Sequence, residues 1–254
     1  MTKAKQRLEI GTEPWLEVTG GRLTAVQALS LATAGFGQTL RDMFSIRKPL
    51  SIEESKRQSE RVSIARKEFA KALETQRERV LERQGAAVLN HTVRTYLLGA
   101  ALVSDENFSR VDHAVAAIAA LSHDDGLIHP SKPGDCFTGD SATEAQIMLE
   151  QLGASITSVK LAREAVISHF QPKLPASMGV EANMVALGAS ADVMGIGLKR
   201  IDRELLRDIW VEWPDLGFIQ EVRVLLKGER TRAPRTRPGV LALSGMPYLL
   251  RSSK

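Results

Sequence analysis

Val62, Phe69, Leu73 and Val80 recur at steps of seven, four and seven, with charged residues between them. That spacing places one apolar stripe on a helix and predicts an amphipathic helix over about 52–83. The chain around it contains nothing to interrupt a helix. All ten prolines lie outside residues 50–129, and no glycine falls between Gly37 and Gly85.

Further helices follow, each with its own punctuation. AAVLNHTVRTYLLGAAL (86–102) is mostly apolar and reads as buried, and SRVDHAVAAIAALSHDD (109–125) puts Val111, Val115, Ile118 and Leu121 on one stripe before Gly126. SATEAQIMLEQLG opens with Ser141 and Glu144 in capping-box spacing and closes at Gly153. Helical patterns at 155–170, 181–195, 202–213 and 215–228 complete the set. No stretch alternates at period two, so the predicted fold class is all-α. Residues 1–50 hold TGG at 19–21 and TAGFG at 33–37, with room for helices between and no motif.

Composition narrows the setting. With 254 residues, 43% hydrophobic and 25% charged, the chain can bury a large core. It has no run of eighteen apolar residues, and MTKAKQRLEIGTEPW lacks the apolar centre of a signal peptide, so the expectation is a cytoplasmic protein without a membrane span. Cys136 is the sole cysteine, which excludes an intramolecular disulfide and a cysteine-rich zinc site. The net charge is +4, and GERTRAPRTRPG (228–239) supplies most of it with four arginines against one glutamate. This segment reads as a solvated linker, so nucleic acid is not an expected partner.

Four polar residues interrupt otherwise apolar helices: His91, His123, Asp124 and Asp192. A carboxylate buried in a bundle needs a cation, hydrogen bonds or exposure, and one divalent metal would compensate all four residues together. Two imidazoles and two carboxylates suit Zn, Fe, Mn or Ni. Successive helical residues diverge by about 100°, so His123 and Asp124 share an ion only near a helix end, which Gly126 marks. Taken singly, each residue also has an ordinary structural role open to it, as a core histidine, a turn residue or a cap.

The order His, His-Asp, Asp and its context resemble the HD-domain superfamily of metal-dependent hydrolases, and within it the cyanamide hydratase-like branch. LNHTVRTYLLGAAL is similar to that branch's first-histidine helix, ALSHDDGL to its His-Asp helix end, FTGDSATEAQIMLEQLG to the helix that follows, and EANMVALGASADVMG to the one carrying the last aspartate. The resemblance covers roughly residues 70–225. It implies an N-terminal extension, partly helical, at 1–60, an HD-type domain at 61–227 and an Arg/Pro-rich tail at 228–254. It also implies that His91, His123, Asp124 and Asp192 ligate one divalent ion, Zn or Fe before Mn or Ni, which activates water.

The substrate the resemblance implies is a small molecule, cyanamide-like, nitrile-like or another C–N compound, acted on by a hydrolase or hydro-lyase. A nucleotide or phosphate-ester hydrolase is the alternative; a di-iron oxygenase and a non-catalytic binding module rank behind it. His169 stands where the family often has a histidine near the metal, and is a candidate acid/base group. Asp125, where the branch has an apolar or variable residue, is a second catalytic candidate: it orients His123, transfers a proton or faces water. Arg94 and Lys173 are candidate substrate contacts. His113 reads as packing and His129 as a loop residue. Apolar faces on the N-terminal helices leave a homo-oligomer open.

Overall fold

A computed structural model describes residues 8–47, 49–174 and 177–251. Among these residues the chain folds into α-helices and two 3-10 turns with no β-strand, as the absence of period-two patterning requires. At the N-terminal end lie α1 (Glu13–Thr19) and α2 (Ala25–Met43), followed by α3 (Ile52–Thr75) and α4 (Arg77–Arg83). The middle of the chain forms α5 (Ala86–Leu102), α6 (Asp105–Phe108), α7 (His113–Ser122) and α8 (Asp125–Ile128). Then come α9 (Phe137–Gln151), α10 (Ile156–Ser168), α11 (Val180–Met194), α12 (Arg203–Glu212), α13 (Phe218–Arg232) and α14 (Arg237–Leu243). No helix among the described residues is long and apolar enough to cross a membrane.

The stripe on α3 is buried at Val62 and Phe69, and Val80 is buried on α4. The single helix expected over 52–83 is broken at Gln76, whose backbone leaves the helical region at φ −116°. Gln76 is buried, and its amide reaches the carbonyl of Met148 on α9. The bend therefore delivers a polar side chain to a neighbour.

α5 is the axis of the bundle. Residues 90–101 are all buried, with α11 along one side and α3 and α7 on others. Two glycines allow the α5–α11 approach: a Cβ on Gly188 would lie 1.7 Å from the Thr95 carbonyl oxygen, and one on Gly99 would lie 2.3 Å from that of Met184. Since neither obstacle is a flexible side chain, Gly188→Ala has to push the helices apart. It is expected to cost at least about 3 kcal/mol, which for a chain of this size lowers Tm by roughly 6–12 °C. Gly228→Ala in α13, where a Cβ meets nothing within 4 Å, should leave Tm unchanged or raised, and thermal unfolding of the pair checks both.

Two sequence-based expectations change. Ser141 and Glu144 do not cap a helix, because α9 begins at Phe137 and both residues are buried within it. Ser141 Oγ instead accepts the Gly126 N–H (2.9 Å), and Glu144 pairs with Arg79. Nor is the Arg/Pro segment a solvated linker or free tail: α13 runs through it to Arg232, and α14 follows. Arg237 is fully buried, donating to the carbonyl oxygen of Ile167 (2.6 Å) and to Thr138 (3.1 Å) and Gln171 (3.3 Å) while lying over the Trp15 ring. Arg232 pairs with Glu229 and donates to the carbonyl oxygens of Lys132 and Asp135. These arginines are spent on orphaned carbonyls at chain bends. As a result α14 packs on α2, and Leu23 N–H reaches the Arg235 carbonyl (2.7 Å).

Candidate metal centre

α7 ends at Ser122, and α8 begins at Asp125. Between them His123 keeps helical dihedrals (φ −59°, ψ −30°), whereas Asp124 moves to φ −106°, ψ 4°. This change at a helix end turns both side chains inward, toward His91 on α5. Gly126 does not terminate the preceding helix as expected; it sits inside α8, where a Cβ would lie 2.2 Å from the Phe137 carbonyl oxygen of α9. Its missing side chain seats the His123–Asp124 corner against α9.

The resulting centre is buried. Nε2 of His91 lies 3.0 Å from Nε2 of His123, and Oδ2 of Asp124 lies 3.4 Å and 3.5 Å from those two nitrogens. His169, at the end of α10, brings its Nε2 to 3.6 Å from the other Asp124 oxygen, and that nitrogen is buried without a hydrogen-bond partner.

The far sides of the three rings determine what these nitrogens offer. Nδ1–H of His123 donates to the Ala120 carbonyl (2.7 Å), Nδ1–H of His169 to the Val166 carbonyl (2.6 Å), and Nδ1–H of His91 to Oδ2 of Asp192 (2.7 Å). Each acceptor accepts only, so each ring carries its hydrogen on Nδ1 and turns Nε2 toward Asp124. Two neutral rings in that tautomer would oppose lone pairs across 3.0 Å, so a proton or a cation belongs between them. Ligand atoms around a tetrahedral ion with bonds of about 2.1 Å are about 3.4 Å apart; the two edges of the triangle to Asp124 match this, and the His91–His123 edge is shorter at 3.0 Å. These three residues form a group that could hold a metal ion.

Without an ion, charge divides unevenly over the cluster. Burial opposes protonation of His91, but hydrogen bonds to Asp124 and Asp192 outweigh it and hold its pKa above the ordinary histidine value. His123 is driven the other way, to about 3, because burial outweighs the attraction of Asp124. Burial would raise Asp124 and Asp192, yet Asp124 is held well below the usual carboxylate range by the surrounding histidines and Asp192 by His91 and Arg94. A protonated His91 cannot offer Nε2 to a metal ion, so metal affinity is expected to fall as pH drops below the raised His91 pKa. Titration with Zn²⁺ across pH 6–8 checks this; affinity independent of pH contradicts it.

Asp192 does not join the metal-facing group that the resemblance assigns it to. It lies across the His91 ring from Nε2, and both its oxygens are taken by Arg94 (Nε–Oδ1 2.8 Å, Nη2–Oδ2 2.8 Å). The C-terminal segment adds to this grip, with Arg251 Nε donating to the Asp192 carbonyl (2.9 Å). Arg94, expected to contact substrate, is fully buried away from the cavity lining, and its remaining donor reaches the carbonyls of Trp213 and Pro214. Asp125 neither faces water nor touches the centre, since Arg83 holds both its oxygens (2.9 and 2.6 Å) beside the Arg79–Glu144 pair. Lys173 is exposed in the loop after α10 and does not line the cavity that opens from the centre. His113 bonds the Tyr96 hydroxyl (2.8 Å) and His129 the Arg83 carbonyl (2.9 Å), so neither supplies a second ion.

Phe218, which no motif flagged, stacks on His91 with centroids 4.0 Å apart and planes 11° from parallel. The fold and the centre together define an all-α protein with a buried imidazole–carboxylate group able to hold a metal. No protein-family model matches the chain, and no curated protein matches it significantly.

Proposed function

We propose that the chain is a metal-dependent hydrolase or hydratase of the HD-domain superfamily, akin to its cyanamide hydratase-like branch, acting on a small uncharged molecule. The observation that supports this most is the convergence of three Nε2 atoms on Asp124, each made a lone-pair donor by a hydrogen bond behind its ring. His91, His123 and Asp124 would hold the ion. When bound, it would supply a water acidified toward neutrality and polarise the electrophile.

The chain's own residues do the rest. Asp192 and Arg94 fix the His91 ring from behind. His169, its Nδ1–H anchored on Val166, has an Nε2 free to take a proton from the attacking water and pass it to the nitrile nitrogen in a hydration, or to the leaving atom in a hydrolysis. Phe218 and the apolar walls keep bulk water from competing.

The test has two parts. Elemental analysis of protein purified without chelator should find about one Zn, Fe, Mn or Ni per chain. The loaded protein should then turn over neutral nitriles, substituted cyanamides or related C–N compounds and leave nucleotide phosphates and phosphate esters untouched. Turnover confined to the phosphates would replace this reading with a phosphohydrolase. A folded protein that binds no metal would replace it with a binding module.

A further inference from the structure

The cavity over the centre is built very differently from its floor. His91, His123, Asp124 and His169 line its inner end. Its walls come from segments far apart in the chain: Phe36 on α2, Val193 on α11, Leu226 on α13, and Leu241 and Met246 near the C-terminus. Gln38, Thr39, Gln171, Ser190 and Ser244 are neutral polar exceptions, and no lysine, arginine or glutamate is among the described lining residues. The buried arginines nearest in the fold are committed elsewhere, Arg94 to Asp192 and Arg237 to Ile167 and Thr138.

A site for phosphates would have to aim cations at them, because charge neutralisation is most of the binding. Among the described lining residues no lysine or arginine faces a ligand's body, so apart from the ion itself nothing there would neutralise a phosphate. A site for a molecule as small as cyanamide would need no chamber beyond the floor. Apolar walls of this kind hold water poorly and favour an apolar occupant. At the rim, Phe36 stays 56% exposed and Leu249 39% exposed, apolar surface that such an occupant would cover.

We propose that the substrate is a neutral molecule with a large apolar body, lodged between α2, α13 and the 241–249 segment with its reacting polar head at the His91–His123–Asp124 centre. The choice of substrate then resides in α2, α13 and the 241–249 segment. This deepens the hydrolase reading and rests on it for the chemistry, whereas the apolar chamber itself is independent of the metal.

The experiment measures binding on the full chain treated with chelator, using the neutral fluorophore N-phenyl-1-naphthylamine as probe and straight-chain alkanenitriles as competitors. The probe is expected to bind saturably. Each added methylene in the competitor should improve displacement roughly threefold to fourfold until the chamber is filled, while butyl phosphate and AMP compete at least tenfold more weakly than the nitrile of equal length. Ala32→Arg, which sets a guanidinium in the α2 wall, should weaken the probe by tenfold or more with helix content unchanged. Should that variant not fold, Thr39→Lys is measured in its place. No saturable binding, no dependence on chain length, or competition by the phosphates equal to that of the nitriles would overturn the proposal. If untreated protein holds no metal but the chamber series behaves as expected, the apolar site stands and only the hydrolase reading falls.

Discussion

Asp124→Asn is expected to strip the centre of its metal while leaving the helices in place. Asparagine fills the same space, so the corner between α7 and α8 can persist, but the one negative charge facing the three Nε2 atoms is gone. A divalent ion would then face neutral ligands only. The loss of affinity should exceed the roughly 10–100-fold that follows when a supporting contact behind a ligand is removed. Turnover should fall to background. Isothermal titration with Zn²⁺, alongside circular dichroism, reads both halves of the expectation. Wild-type affinity in this variant would mean that Asp124 is not a ligand.

The second large effect is one of stability. Arg94→Met takes the two-pronged partner from the fully buried Asp192 carboxylate and leaves it only Arg251, whose Nη2 stands 3.6 Å from Oδ1; removing one partner of a buried pair costs about 3–5 kcal/mol. Tm should fall by roughly 10 °C. Replacing the partner as well, in Arg94→Met/Asp192→Leu, removes the stranded charge and should restore most of the loss. The double variant nonetheless leaves Nδ1 of His91 without its acceptor, so its metal affinity should stay about 10–100-fold below wild type. Recovered stability with weakened metal binding is what a positioning role for Asp192 requires. Complete loss of binding, equal to that of Asp124→Asn, would restore Asp192 to the ligands.

The helices were legible because each one shows its buried stripe and its breakers locally. The His91–His123–Asp124 group was legible for a related reason: polar residues in apolar helices need a partner, and a His-Asp pair can share one only at a helix end. What could not be read was direction. Asp192 has the right residue type on the right helix, but whether it meets the front or the back of the His91 ring depends on how closely Gly99 and Gly188 let α5 and α11 approach. Asp125 looked free because its partner, Arg83, stands 42 residues earlier. The arginines at 232 and 237 read as solvated charge because half of their acceptor residues offer backbone carbonyls, which every residue has and no motif announces. The cavity walls were invisible for the same kind of reason, being drawn from α2, α11, α13 and the C-terminal residues, which meet only in the fold.

Diffraction from crystals of the metal-loaded protein, recorded at the ion's absorption edge, bears most directly on whether a cation holds this centre together. One anomalous peak is expected at about 2.0–2.2 Å from Nε2 of His91, Nε2 of His123 and a carboxylate oxygen of Asp124, with Asp192 still paired to Arg94. A peak elsewhere in the molecule, or none from protein saturated with Zn²⁺, Fe²⁺, Mn²⁺ and Ni²⁺ in turn, would contradict it.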